Sequence, residues 1–308
     1  MKNIILTTLN ARYSHTSLGL RYLIANLKEL KEETEILEFV INSSIQTIAE
    51  QILEKKPKII GIATYIWNAF DVGELVKIIK KVSPETMVVL GGPEVSYTPL
   101  RVNFDMADYI ICGEGEVSFY NLCRELLDGT CQQPRTISSP KVDLENIVLP
   151  YDDYTDFDIK NRHIYVENAR GCPFECEFCL SSIETRMRYL DINIFLDEIE
   201  KLWVRGARNF KFIDRTFNIK ISYAKASLNY FLAKEEEYFL HFEVIPDNFP
   251  EELRDLIKQF KKGCLQLEVG IQTLNLDVAK EIRRNLKLDK IKDNLKFLSQ
   301  ETHAHMHI

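Results

Sequence analysis

The 308-residue chain has no excess of basic charge: 39 Lys and Arg stand against 46 Asp and Glu, a formal net charge of −7. A polyanion is therefore not the expected partner, and nucleic acid binding is not anticipated. Apolar runs are short, and none approaches the roughly 18 residues of a membrane span. The apolar start Ile4-Ile5-Leu6 lacks a small-residue cleavage site, so it reads as a first strand rather than a secretory signal. The expected compartment is the cytoplasm, where the seven cysteines would be thiols or metal ligands rather than disulfides. No Gly-x-Gly-x-x-Gly follows the first strand and no P-loop lysine is present, which argues against nicotinamide and triphosphate sites. Gly-x-Ser-x-Gly and zinc-protease patterns are missing too. No internal repeat or low-complexity tract stands out.

What is present is alternation. Apolar β-type runs at 3–9, 35–40, 58–65, 87–90 and 109–112 are separated by helical stretches at 17–30, 44–55, 70–82 and 117–127. The run at 58–65 is apolar on nearly every residue, as expected of a parallel strand covered on both faces. Residues 1–130 are thus expected to form a doubly wound α/β unit of flavodoxin-like (Rossmann-type) topology. From 131 to 160 the pattern dissolves among Pro134, Pro140, Pro150 and several aspartates, which reads as a surface linker. Residues 161–308 alternate again. Strands are expected at 163–169, 209–213, 240–245 and 264–271, with helices at 192–205, 220–234, 251–261, 276–284 and 288–299. A partial (β/α) TIM-like barrel is the expected result. The chain stops at Met306-His307-Ile308 inside the next strand, so the barrel is expected to be incomplete and truncated at its C-terminus.

The stretch Ala169-Arg170-Gly171-Cys172-Pro173-Phe174-Glu175-Cys176-Glu177-Phe178-Cys179 packs three thiols into eight residues, just past a predicted strand. Such spacing suits soft metals and iron–sulfur clusters. Gly171 and Pro173 allow a tight loop that turns the thiols inward. A four-iron cubane on three cysteines keeps one iron open for a small chelating ligand. The competing reading is structural zinc, which wants four protein ligands; His163 and Cys264 are conceivable fourth ligands, though neither has a local spacing that argues for it.

Cys-x3-Cys-x2-Cys after the first strand of a partial barrel resembles the radical S-adenosylmethionine superfamily. The resemblance implies a 4Fe-4S cluster on Cys172, Cys176 and Cys179 as metal ligands. Its open iron would chelate S-adenosylmethionine and its electron would cleave that molecule to a 5′-deoxyadenosyl radical. Positions at predicted strand ends suggest Asp214, Glu243 and Gln272 for S-adenosylmethionine, with Gln272 toward the ribose. For Asp214 a helix N-cap or an ion pair with Arg215 is an equal alternative. Glu268 could equally be an interior polar residue or point outward.

In the first half, loops after predicted strands hold Asn10 to Gly19, Gly61 to Asn68, Gly91-Gly92-Pro93-Glu94 and Gly113-Glu114-Gly115-Glu116. They would share the carboxyl edge of the sheet, where open α/β sheets bind ligands. With the cysteine loop, the layout is similar to radical S-adenosylmethionine proteins with an N-terminal cobalamin-binding domain. That resemblance implies cobalamin as a further cofactor, with Thr64, Gly91, Gly92, Gly113, Glu114 and Gly115 toward its nucleotide tail or corrin face. His15 is the candidate cobalt ligand, but Tyr13 and Leu18 stand where the family's Asp-x-His-x-x-Gly motif has Asp and Gly, so a loop histidine is the competing reading. Trp67 is read as a core aromatic rather than a corrin cover. Residues 280–287 read as a solvated helix face. His303, His305 and His307 share one face of an extended strand, read as a strand or frayed end rather than a metal site.

The function the resemblance implies is methyl transfer to an unactivated carbon of an unidentified small-molecule or peptide substrate. One S-adenosylmethionine would supply the corrinoid's methyl group, and a second would supply the radical. An external electron donor such as flavodoxin or ferredoxin would be needed. The alternatives are radical cyclisation or rearrangement with cobalamin in a non-methylating role, and a non-catalytic cobalamin or iron–sulfur binding module.

Overall fold

Residues Ile4–Asn10 are buried at every position and form strand β1. A strand with no solvent face belongs inside a sheet covered on both sides. β1 pairs in parallel with β2 (Thr34–Val40) on one flank and β3 (Ile59–Ala63) on the other. β4 (Met87–Gly91), β5 (Tyr109–Cys112) and β6 (Thr136–Ser138) complete an all-parallel sheet of order β2-β1-β3-β4-β5-β6. The crossovers are α1 (Leu18–Ala25), α2 (Ile45–Leu53), α3 (Ala69–Val82), α4 (Pro93–Ser96) and α5 (Glu116–Leu127). Ile5, Leu9, Ile60 and Leu90 pack with Ile48, Ile52, Val72 and Val76 of α2 and α3. Ile4, Leu6, Val89 and Ile111 pack with Leu20 of α1 and Phe119 of α5. Each such burial contributes roughly 1.5–3 kcal/mol. The result is the expected doubly wound flavodoxin-like layout. Its strand order reverses between β1 and β3, the place where such sheets open a ligand crevice.

The computed structural model describes residues 2–308, and the chain divides into two compact units after Arg162. The stretch 131–160, expected as a linker, lies within the first unit. It supplies β6, fully buries Tyr151 and Tyr154, and ends in α6 (Asp156–Asn161), capped by Thr155 and Asp158. One ion cluster holds it there: Arg21 Nη2 lies 2.9 Å from both Glu38 and Asp158, and Arg162 lies 3.2 Å and 3.4 Å from the same carboxylates. Helix α1 is also shorter than the expected 17–30. Asn26 caps it by donating to the Tyr22 carbonyl at 2.8 Å, and Lys28 at φ 50° turns the chain into a short 3-10 segment.

Removing one member of a buried ion cluster leaves uncompensated charge. Arg21→Met is therefore expected to destabilise the first unit by about 3–5 kcal/mol, read as a lower denaturant midpoint. The cluster also sets an acid limit. Burial pushes the Asp158 carboxyl up, but Arg21 and the Thr155 hydrogen bonds outweigh this and hold it below the usual carboxylate range. Its contribution is therefore present above the unfolded-state value and lost as pH falls through the lower folded-state value.

The second unit runs β7 (Ile164–Val166), β8 (Ala169–Arg170), β9 (Arg188–Tyr189), β10 (Asn209–Phe212), β11 (Phe239–Val244), β12 (Leu265–Val269) and β13 (His305–His307). Its helices are α7 (Ile192–Val204), α8 (Ile221–Leu232), α9 (Glu251–Ile257), α10 (Leu276–Glu281) and α11 (Leu288–Glu301). The main sheet has the sequential parallel order β13-β12-β11-β10-β7, the wall of a partial (β/α) barrel. Strand alternation gives it two unlike faces. Phe210 and Phe212 meet Phe195, Trp203 and Phe231 of α7 and α8. The opposite face carries the register row Tyr165, Lys211, His241, Gln266 and His305.

The strand expected at 163–169 is divided: β7 stays in the barrel sheet, while β8 pairs antiparallel with β9 as a separate hairpin. β12 ends at Val269, short of the expected 271, and Gln272 takes φ 69°. His305 and His307 lie in β13, and all three C-terminal histidines are exposed. Among the described residues no helix is long and apolar enough to cross a membrane.

Candidate active site

The β8–β9 hairpin closes the neck of the cysteine loop through Ala169–Tyr189 and Arg170–Arg188 pairing. Gly171 at φ 95° is required there, because a Cβ would lie 2.5 Å from the Arg186 carbonyl oxygen. Cys172 N donates to Glu184 O at 2.9 Å, and Cys179 N donates to Cys176 O at 3.0 Å, folding the loop back on itself. Cys172 and Cys176 are buried and Cys179 is half-buried. Burial pushes the Cys172 thiol up.

All three cysteines line one cavity of about 200 Å³ at the carboxyl ends of the barrel strands, together with Thr216, Glu243, Glu268, Gln272 and Arg284. Two of the three residues expected for S-adenosylmethionine, Glu243 and Gln272, are therefore beside the cysteines. Burial raises Glu243, and Arg215, 3.7 Å away, opposes the rise. Asp214 is not in the lining. It is buried, and both its oxygens accept the Asn168 amide at 3.1–3.2 Å. It makes neither of the contacts weighed against cofactor binding, since Arg215 turns to Glu243 and the carboxylate serves the β7–β8 connection. Burial pushes its carboxyl from the ordinary 3.8 to about 7. The folded state therefore holds the extra proton between those values, and stability falls as pH rises through that window, by up to roughly 4 kcal/mol. Asp214→Asn is expected to flatten this slope in denaturation midpoints measured from pH 4 to 8.

His163 precedes β7 and Cys264 precedes β12, so both sit at the amino ends of strands, away from the cysteine loop at the carboxyl end. Neither can be a fourth ligand. Among the described residues no three His, Cys, Asp or Glu side chains gather as ligands of one metal ion do. A cubane takes each cysteine on a different iron, so its thiols stand farther apart than the ligands of a single ion. The cavity carries a further sign of a polar ligand: Thr216 Oγ1 is buried in its wall without a hydrogen-bond partner. Three thiols, an orphaned hydroxyl and an acidic wall fit a cluster with a small polar ligand beside it. Sequence reasoning missed Arg284, which was read as solvated surface. Nothing in its local spacing marks it, because α10 ends at Glu281 and Arg283 at φ 55° redirects the chain.

In the first unit a cavity of about 210 Å³ opens at the carboxyl edge between α1, α5 and the sheet. Gly91, Gly92, Gly113, Glu114 and Gly115 line it, whereas Thr64 and His15 do not. Thr64 is next to the lining residue Ala63; its backbone N donates to Gly91 O at 2.8 Å, and its Oγ1 is buried and unpartnered. His15 is half-buried in the loop after β1, in a turn whose amide donates to Arg12 O at 3.1 Å. The cavity is smaller than the roughly 300–1,000 Å³ of whole-ligand sites. It suits one flat end of a larger molecule. Trp67, expected in the core, is 46% exposed at this edge and stacks on Tyr65 with centroids 4.5 Å apart.

Residues 4–123 match the B12 binding domain and residues 167–305 the Radical SAM superfamily. An uncharacterized methyltransferase, PH0819, of Pyrococcus horikoshii is 28% identical over 66% of this chain and 49% of its own length. The cobalamin-dependent radical SAM methyltransferase TokK of Streptomyces tokunonensis is 25% identical over 80% of this chain and 40% of its own length. The chain thus spans about half or less of these relatives. The structure of the radical S-adenosylmethionine methyltransferase TsrM from Kitasatospora setae, with cobalamin and a [4Fe-4S] cluster bound, superimposes with a TM-score of 0.73. It covers 99% of this chain and 66% of that one at 16% identity, a likeness of fold. With both domain models matched in order along an α/β sheet and a partial barrel, the chain belongs to the radical S-adenosylmethionine proteins that carry an N-terminal B12-binding domain.

Proposed function

We propose that the chain forms the cofactor-bearing part of a cobalamin-dependent radical S-adenosylmethionine methyltransferase. The observation that carries this reading is the single cavity shared by Cys172, Cys176, Cys179, Glu243 and Gln272. Bound there, a 4Fe-4S cluster supplies the electron that cleaves S-adenosylmethionine, and cobalamin supplies the methyl group. Cys172, Cys176 and Cys179 would hold the cluster through their thiolates, and the cavity beside them would take the amino-acid end of S-adenosylmethionine. Thr216 Oγ1 and Glu243 offer polar contacts to that ligand, and the Gln272 amide faces the ribose. In the first unit the glycine-lined cavity takes the nucleotide end of the corrinoid, with the exposed Trp67 face beside it. Methyl transfer is supported by the names of the relatives. An external one-electron donor such as flavodoxin or ferredoxin is part of the proposal.

The test is anaerobic reconstitution with iron, sulfide and hydroxocobalamin, followed by electron paramagnetic resonance with and without S-adenosylmethionine. A spectral change on adding S-adenosylmethionine, retained corrinoid and formation of 5′-deoxyadenosine are expected. An intact cluster indifferent to S-adenosylmethionine would remove the radical assignment, and cluster without corrinoid would remove the methyl donor. Once a substrate is found, product mass separates methylation from cyclisation or rearrangement.

A further inference from the structure

We infer that Arg284 is a positioning residue for the iron–sulfur site. It fixes the Cys176 thiolate and favours the reduced state of the bound cluster; the inference rests on the reading of the three cysteines as cluster ligands. Arg284 Nη1 lies 3.6 Å from Cys176 Sγ, while Nη2 donates to the Gly270 carbonyl just past β12. The same short segment is fastened to the cysteine loop by its backbone, with Glu177 N donating to Ile282 O at 3.1 Å. Its neighbour Arg283 turns to a carboxylate instead of a sulfur. The Arg283 side chain is 64% exposed and its Nε lies 3.1 Å from Glu177 Oε2.

The guanidinium is planar and permanently charged, so two bonds from one fork fix both its place and its direction. Of the two arginines in the cavity wall, Arg215 is paired with Glu243. Arg284 has no carboxylate partner among the described residues, and its guanidinium bonds to a sulfur and a carbonyl. Adding an electron makes a thiolate-bound cluster one charge more negative. A fixed cation beside a ligand sulfur stabilises that state more than the oxidised one, and hydrogen bonds to sulfur act in the same direction. The Gly270 carbonyl also ties this cation to the strand end that leads to Gln272.

The experiment is an anaerobic redox titration, followed by electron paramagnetic resonance, of the reconstituted chain and of Arg284→Met, Arg284→Gln and Arg283→Met, with iron and sulfide counted per chain. Arg284→Met is expected to lower the reduced-to-oxidised ratio at a fixed potential about tenfold, a shift of about 59 mV for a one-electron couple. Arg284→Gln keeps a donor without the charge and should shift the same way by less. Arg283→Met should match the parent. Loss of iron from both Arg284 variants but not from Arg283→Met would support the positioning role. A parent-like midpoint in the Arg284 variants overturns the inference, as does an equal shift in Arg283→Met. Failure of the parent to take up a cluster overturns the cysteine assignment as well, whereas a loaded parent with unshifted Arg284 variants overturns this inference alone.

Discussion

Replacing Cys172, Cys176 or Cys179 singly by alanine is expected to bring retained iron and 5′-deoxyadenosine formation down to background. In the proposed ligand set three thiolates serve four irons with no spare ligand, and His163 and Cys264 sit at the wrong ends of their strands to substitute. The fold should survive. The loop is held by its own hairpin and backbone bonds, such as Cys172 N to Glu184 O, rather than by the aromatic packing of α7 and α8 on β10. Each substitution should cost about 1–2 kcal/mol, seen as a small shift in the denaturation midpoint with unchanged far-ultraviolet circular dichroism. Cys264→Ala is the matched control: it too removes a buried thiol, but from the amino end of β12. Full iron in any loop variant, or equal loss in Cys264→Ala, would refute the ligand set.

The second large effect separates two adjacent glycines. A Cβ on Gly91 would meet only the Ile111 carbonyl oxygen at 3.8 Å, an ordinary contact, and the residue lines the first unit's cavity. Gly91→Val should therefore fold but occupy space in the cavity proposed for the corrinoid. Its affinity for hydroxocobalamin is expected to fall at least about 100-fold, near 2.7 kcal/mol, by equilibrium titration. Gly92 differs: at φ 101° a Cβ would lie 2.6 Å from the Thr64 carbonyl oxygen. Gly92→Ala should cost about 1–3 kcal/mol of stability, through the turn that links β4 to α4. Unchanged corrinoid affinity in Gly91→Val would show that the cavity is not where the cofactor's tail enters.

These contrasts show which features local sequence exposes. The three cysteines that share the second unit's cavity were legible as candidate ligands because they fall within one loop, at a spacing that suits an iron–sulfur cluster. The buried parallel strands were legible because a strand covered on both faces must be apolar throughout, as β1 and β3 are. Features made by distant partners were not. Asp158 read as part of an acidic linker because Arg21, 137 residues away, is what neutralises it. Arg284 read as solvated because Cys176 lies 108 residues earlier. Trp67 read as core because hydrophobicity alone does not reveal which aromatic rings end at a sheet's edge. Asp214 was placed near the right strand end, but its hydrogen bonds to Asn168 turn it into the wall behind the cavity.

The ion cluster around Arg21 fixes where the first unit can be excised. A cut after residue 130, where the helical pattern fades, would strip away Asp158 and Arg162 and leave the Arg21–Glu38 pair without its two other partners. It would also peel β6 from its edge and uncover the niche of Tyr151 and Tyr154. Any attempt to prepare a freestanding corrinoid carrier from this protein must therefore keep the chain through Arg162.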